Sequence, residues 1–190
     1  MKNNLIPRMS QKELNLFKDI TQGTSNYFEF GIGGSTVFVY NETCANIRGV
    51  DSSKCWIEDV YKYISKDRVL LHHADIGDIG EWGKPINTTN KHAWPDYSSH
   101  INKTDILPDV IYIDGRFRVA CLIQSILFSI KNNIDPIILL HDCNREYYKT
   151  GVDMMKRIDR VESLSVFRCD LSVCVKVLEI KYNEYKYIFE

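Results

Sequence analysis

The chain has 190 residues, of which 44% are hydrophobic and 12% aromatic, enough apolar side chain for one core of ordinary domain size. Charged residues make up 26% and balance to a formal net charge of -1, which argues against the basic excess that drives binding to nucleic-acid backbones. No window approaches the run of about 18 apolar residues that spans a bilayer, and MKNNLIPRMSQKEL lacks an apolar signal core, so a cytoplasmic protein (host cytoplasm for a viral one) without a membrane span is expected. The six cysteines form no C-x-x-C pair and read as free thiols.

In chain order, a helical leader occupies 1–26, where Ser10 and Glu13 have capping-box spacing ahead of Leu14 and Phe17. Tyr27 to Phe30 then reads as a strand running into Gly31-Ile32-Gly33-Gly34-Ser35, a glycine-rich turn that opens a helix. A second strand, 46–50, ends at Asp51, a helix follows from Ser53, and 68–72 is a third strand. From 75 to 108 the pattern dissolves into Gly, Pro, Asn, Thr and His with Trp82, Trp94, Tyr97, His92 and His100, too long for an ordinary connection and read as an acceptor loop or lid. Periodicity returns in the continuous apolar runs 109–114 and 136–140, typical of strands buried on both faces of a parallel sheet, with a helix over 118–130 between them. A helix over 147–158 and an antiparallel pair made of 164–168 and 172–180 are expected to complete a three-layer, mostly parallel α/β sheet. The closing KYNEYKYIFE alternates charged and aromatic residues, the character of a strand extension or of a tail docking on a second copy in a homo-oligomer.

In open parallel sheets ligands bind beyond the carboxyl ends of the strands, and here five ends finish in Gly31–Ser35, Asp51, Asp75, Asp114 and His141-Asp142. The glycines permit close backbone approach to a ligand, and an acid about 20 residues later is where nucleoside sites hold a ribose diol. A tight turn, and an Asp51 that only caps the next helix, are the plain alternatives.

FEFGIGGST, GVDSS, HHADIG and PDVIYIDG together resemble the class I S-adenosylmethionine-dependent methyltransferases. The resemblance runs from about residue 27 to 180 and implies a Rossmann-like methyltransferase fold over one domain, 1–190, ending in an antiparallel strand pair. It implies S-adenosylmethionine as cofactor, with Glu29 under the cofactor loop, Gly31, Gly33, Gly34 and Ser35 against the methionine part, Asp51 on the ribose, and Asp75 with Ile76 beside the adenine. The acid ahead of the glycines and Thr36 in place of a third glycine argue against a nicotinamide-dinucleotide enzyme. A narrower resemblance, in ADIGDIGEWGKP and IDGRFRVAC, is to bacterial and viral methyltransferase-like proteins associated with glycan-building enzymes.

The function implied is O-methylation of a sugar, glycan or other small molecule. Candidate catalytic residues are Asp114, His141 and Asp142, with His141 the best general base without a metal. Trp82, Trp94, Arg116 and Arg118 are candidate acceptor contacts, although the two arginines equally suit scaffold pairs with the acids. Asp114 and Asp142, with Asn144, also match positions that hold Mg²⁺ in metal-dependent catechol-like O-methyltransferases, but Phe117 stands where several of those enzymes carry a base. A non-catalytic scaffold subunit that keeps the pocket is the reading from a different class.

Overall fold

The computed structural model describes residues 5–190 and is built on one seven-stranded sheet of order β3-β2-β1-β4-β5-β7-β6. Strands β1 (Asn26–Phe30), β2 (Asn46–Asp51), β3 (Val69–His73), β4 (Val110–Ile113) and β5 (Ile137–Leu140) are parallel, and β6 (Met155–Val161) and β7 (Leu164–Cys169) add antiparallel strands at one edge. The helices are α1 (Gln11–Thr21), α2 (Gly34–Glu42), α3 (Lys54–Val60), α4 (Pro95–Ser99), α5 (Arg118–Asn132), α6 (Lys149–Val152) and α7 (Val175–Tyr185). This is the mostly parallel Rossmann-like arrangement expected from the sequence. No helix among the described residues is long and apolar enough to cross a membrane.

Alternation along the central strands feeds two cores. Phe28, Phe30, Ile111 and Ile113 face α5 and α7 on one side, while Tyr27, Ile47, Tyr112 and Leu139 face α1, α2 and α3 on the other. Strands β1, β4 and β5 are buried almost throughout, which is why their sequences read as unbroken apolar runs. Helix α1 begins at the capping box, in which Ser10 and Glu13 satisfy each other's backbone N–H groups.

The last third corrects the sequence reading. Residues 172–180 do not form a strand: α7 starts at Val175, and Leu178, Tyr182 and Tyr185, at helical spacing, pack on the core shared with α5. The β-branched residues that read as a strand, Val175 and Val177, lie on its exposed side. The partner of β7 is β6, whose first four residues, 155–158, fall in the segment expected to be helical; there only 149–152 is α-helix, after a 3-10 turn at Glu146–Tyr148. A two-residue turn, Glu162-Ser163, joins the pair with Glu162 at φ 52° and no glycine to mark it, and β6 is an edge strand of mostly exposed, charged residues with an irregularity between Arg157 and Asp159.

The 75–108 segment is also more ordered than a lid. Three short 3-10 turns (Glu81–Gly83, Lys91–Ala93 and His100–Lys103) surround α4, and Trp94, Tyr97 and Ile101 enter the core as the layer between β3 and β4.

Phe17 is fully buried against Tyr27, Phe38 and Tyr112. Phe17→Ala should cost roughly 3–5 kcal/mol in urea unfolding with little change in slope; a cost under about 1 kcal/mol would mean that α1 does not seal this face.

Candidate active site

A cleft of about 740 Å³ opens at the carboxyl ends of the parallel strands. Its volume is in the range of small-molecule sites, about 300–1,000 Å³. A shallower depression of about 580 Å³ lies at the other end of β1 and β2, between 23–25 and 41–46, and holds none of the candidate residues.

At the end of β1, Glu29 is fully buried beneath the turn and accepts hydrogen bonds from the hydroxyls of Ser35 and, at 2.6 Å, Thr36. Burial pushes its pKa up to about 8, against the effect of the two hydroxyls. It therefore fixes the first turn of α2 from below and does not line the cleft. Gly31 has φ 90°, and a Cβ on it would stand 2.4 Å from Cα of Gly115, so the β1 and β4 turns touch backbone to backbone. Gly33 is different: an added Cβ there would meet only Trp56, at 3.8 Å.

At the end of β2, the Asp51 carboxylate accepts from the N–H groups of Ile32 (3.1 Å) and Ser53 (2.8 Å). Burial raises its pKa to about 6, with the N–H donors opposing. The cap of α3 is Ser53, not Asp51. Asp51 thus ties the glycine turn to the start of α3, with oxygens still turned toward the cleft wall. Trp56 lines the same wall, its Nε1–H donating to Ile32 O at 2.6 Å.

Asp75 and Ile76 are placed differently from the expectation. The Asp75 side chain is exposed and caps its own turn at Gly77 N–H, and Ile76 lies in the core; the cleft is bounded there by Ile79, Gly80 and 82–84. Trp82 lines the rim, 65% exposed with φ 60°, under the guanidinium of Arg8 at 4.6 Å. Trp94 is a core residue, 2% exposed, its Nε1–H donating to Ile76 O at 2.9 Å and its ring against Phe117 and Phe189. It touches no part of the cleft, which corrects its assignment as an acceptor contact.

The ends of β4 and β5 bring Asp114, His141 and Asp142 together around Arg118. The guanidinium is almost wholly buried and sits 3.0 Å from Asp114 and 3.4 Å from Asp142, while also donating to the carbonyls of His141 (2.6 Å), Gly115 (2.9 Å) and Asp114 (3.1 Å). Burial works against the charge of both partners, yet His141 and Arg118 hold Asp114 below the usual carboxylate range, and the acids hold Arg118 above its own. His141 has carboxylates on both sides, Asp114 3.2 Å from Nδ1 and Glu13 3.7 Å from Nε2. Burial disfavours the imidazolium, but Asp114, Asp142 and Glu13 together raise its pKa. Glu13 in turn accepts from Ser163 N–H and Oγ–H, and although burial opposes it these bonds and Ser10 hold it at about 2. The ring thus links α1, the β6–β7 turn and the cleft floor.

The donor set does not fit Mg²⁺. Asp114, His141 and Asp142 lie within ligating distance of one another, but the Arg118 guanidinium already bridges the two acids and one of the three groups is an imidazole, whereas Mg²⁺ selects oxygen octahedra. Asn144 is exposed and makes no part of the lining. A second cluster, His72, Asp96 and His100, lies away from the cleft, its imidazoles stacked at 3.7 Å and 9°, planes that do not direct both lone pairs at one ion.

Several lining residues carried no signal in the sequence: the segment 5–9, whose Ile6 carbonyl would collide at 2.1 Å with a Cβ on Gly34, and Tyr112 and Arg145; Tyr97, from the expected acceptor loop, does line the cleft. Trp56, on the helix expected after Ser53, is a further cleft wall that the sequence did not mark.

No protein-family model matches the chain, and no curated protein matches it. Solved structures do. A methyltransferase-like protein of Silicibacter pomeroyi superposes with a TM-score of 0.87 at 20% identity, covering 97% of this chain and 98% of that one. An O-methyltransferase-assigned protein of Klebsiella pneumoniae gives 0.54 at 12% identity over 86% and 83% of the chains, and the N-methyltransferase NodS of Bradyrhizobium japonicum, in complex with S-adenosyl-L-homocysteine, gives 0.52 at 13% over 84% and 86%.

The raised pKa of His141 implies that its charge stabilises the fold fully below the unfolded value of about 6.5 and that this stabilisation is lost as pH rises through the higher folded value. His141→Gln should therefore be most destabilising just below the unfolded value and progressively less so as the pH rises above it in denaturant titrations; a penalty independent of pH would contradict a charged His141 between carboxylates. The fold that carries this site is that of the class I methyltransferases.

Proposed function

We propose that the chain transfers a methyl group from S-adenosylmethionine to a hydroxyl of a small acceptor, a sugar or glycan being favoured. The observation that carries the reading is the wall made by the glycine turn and Asp51: a buried carboxylate with no cation in ion-pair distance among the described residues, beside a glycine whose missing Cβ leaves space against Trp56. A carboxylate of this kind accepts from two vicinal hydroxyls, which suits a ribose, and the Trp56 indole offers a flat apolar surface to the nucleoside. The methyltransferase fold and the S-adenosylhomocysteine complex of NodS support the same choice of ligand. When bound, the cofactor supplies an electrophilic sulfonium methyl.

The chain itself must orient the acceptor, exclude water and take the hydroxyl proton. Of the three candidate catalytic residues, His141 has both nitrogens turned to carboxylates, and Asp114 is engaged by His141, Tyr112 and Arg118. Asp142 approaches Arg118 and Arg145 most closely through Oδ2, at 3.4 and 2.6 Å, whereas its Oδ1 stands 4.0 Å from His141 Nδ1. Its backbone is left-handed, φ 55°, a conformation uncommon for a side-chain-bearing residue and one that fixes this carboxylate at the cleft. Asp142 Oδ1 is the proton acceptor in this reading, and Trp82 with Arg8 forms the rim over which a sugar face packs.

Calorimetry with S-adenosylhomocysteine tests the cofactor wall. Asp51→Ala should weaken binding at least about tenfold, or about 1.4 kcal/mol, and the wild-type affinity should fall as pH drops through about 6, where Asp51 takes up a proton. Absence of binding to the wild-type chain would overturn the reading. Asp142→Asn should lower kcat by about 10²-fold or more while leaving S-adenosylhomocysteine affinity unchanged, measured by transfer of labelled methyl; full activity in this variant would remove Asp142 from the chemistry.

A further inference from the structure

The arginines and Lys84 around the cleft are not equivalent. Arg118 is consumed by Asp114 and Asp142, Arg145 by Asp142 at 2.6 Å, Lys84 by Glu190 at 3.6 Å, and Arg8 lies over Trp82. Arg116 lines the same cleft at 8% exposure, makes no side-chain ion pair or hydrogen bond to any described residue, and leaves its Nε–H buried without a partner. A guanidinium cannot shed its charge, so burial without a counter-ion is a cost that the fold itself does not offset. The acids nearby are committed: Asp114 to three donors, Asp142 Oδ2 to two guanidinium groups, and Asp51 to backbone amides. The residue itself is held in place, its backbone N–H donating to Tyr97 Oη at 3.3 Å on the tight Gly31–Gly115 contact. It lines the cleft together with Asp51 and with His141 at the end of β5.

We propose that Arg116 receives an anionic group of the acceptor, a carboxylate or a phosphate, so that the acceptor is a sugar acid or sugar phosphate and not a neutral sugar. The inference rests on the methyl-transfer reading above and sharpens its substrate class. The planar fork of Arg116 matches either group through paired N–H donors, and the half-exposed Arg145 stands at the same mouth.

The test uses the full chain, with and without S-adenosylhomocysteine, titrated with glucuronate, glucose 1-phosphate and glucose and read by ligand-observed NMR. Both anionic sugars should bind at least about tenfold more tightly than glucose; Arg116→Gln should abolish that preference, Arg116→Lys should keep part of it, and both variants should bind S-adenosylhomocysteine within about twofold of wild type. Equal or undetectable binding of all three sugars would overturn the proposal. So would an Arg116→Gln variant that loses affinity for S-adenosylhomocysteine but not for methylthioadenosine, which lacks the amino-acid end, since the guanidinium would then hold the cofactor's carboxylate. Failure of the wild-type chain to bind S-adenosylhomocysteine would count against methyl transfer alone, because the sugar series without it still reads the anion preference.

Discussion

The buried guanidinium of Arg118 is the interaction on which the cleft end of the sheet depends. Its donors reach the carbonyls of Asp114, Gly115 and His141, groups at the ends of β4 and β5 that would otherwise be left without partners, and its charge answers the two carboxylates beside them. From it the charges run in alternating order outward: Asp142 to Arg145 in one direction, and Asp114 to His141 to Glu13 in the other. Glu13 closes the chain onto Ser163, so a helix near the start of the sequence, the parallel strand ends and the terminal hairpin are joined through one polar network. Removing one member of such a network leaves another buried group without its counter-charge, which costs more than the pair contributed when intact.

The Asp51 side of the cleft is made by the opposite means. Glu29 and Asp51 are buried with little compensating charge, and burial raises both pKa values. Glu29 is used from beneath, holding the hydroxyls that open α2, while Asp51 faces the cleft. A carboxylate kept at some cost in an apolar wall gains most when a ligand presents hydroxyl donors to it. The backbone contact between Gly31 and Gly115 sets the distance between the two halves, and a side chain at either position would force them apart.

Much of this was legible in the sequence wherever a local signal coincided with the tertiary demand. The continuous apolar runs marked β4 and β5, the capping box marked α1, and the polar residues closing each strand marked the end of the sheet where the cleft lies. Where it was not legible, a distant contact had outweighed local preference. Val175 and Val177 favour a strand, yet Leu178, Tyr182 and Tyr185 find a hydrophobic partner only as a helix on α5. The β6–β7 turn was hidden because Glu162 adopts a positive φ without glycine. Trp94 and Trp82 have the same side chain and sit twelve residues apart in one segment, but one fills the core and the other stands at the rim, a difference that no pattern of residue types encodes.

The same network bears on the metal question. Two acids and an imidazole at strand ends resemble a cation site by composition, but the cation there is part of the chain, fixed by five contacts to oxygen. The most direct measurement is titration of the chain with Mn²⁺ followed by electron paramagnetic resonance, comparing wild type with Arg118→Met and Asp114→Asn. An internal counter-ion predicts no stoichiometric Mn²⁺ binding in the wild type at concentrations up to about 1 mM, the weak range of biological divalent-cation sites. Tight Mn²⁺ binding by the wild-type chain that Asp114→Asn abolishes would contradict it and return the acids to the role of metal ligands.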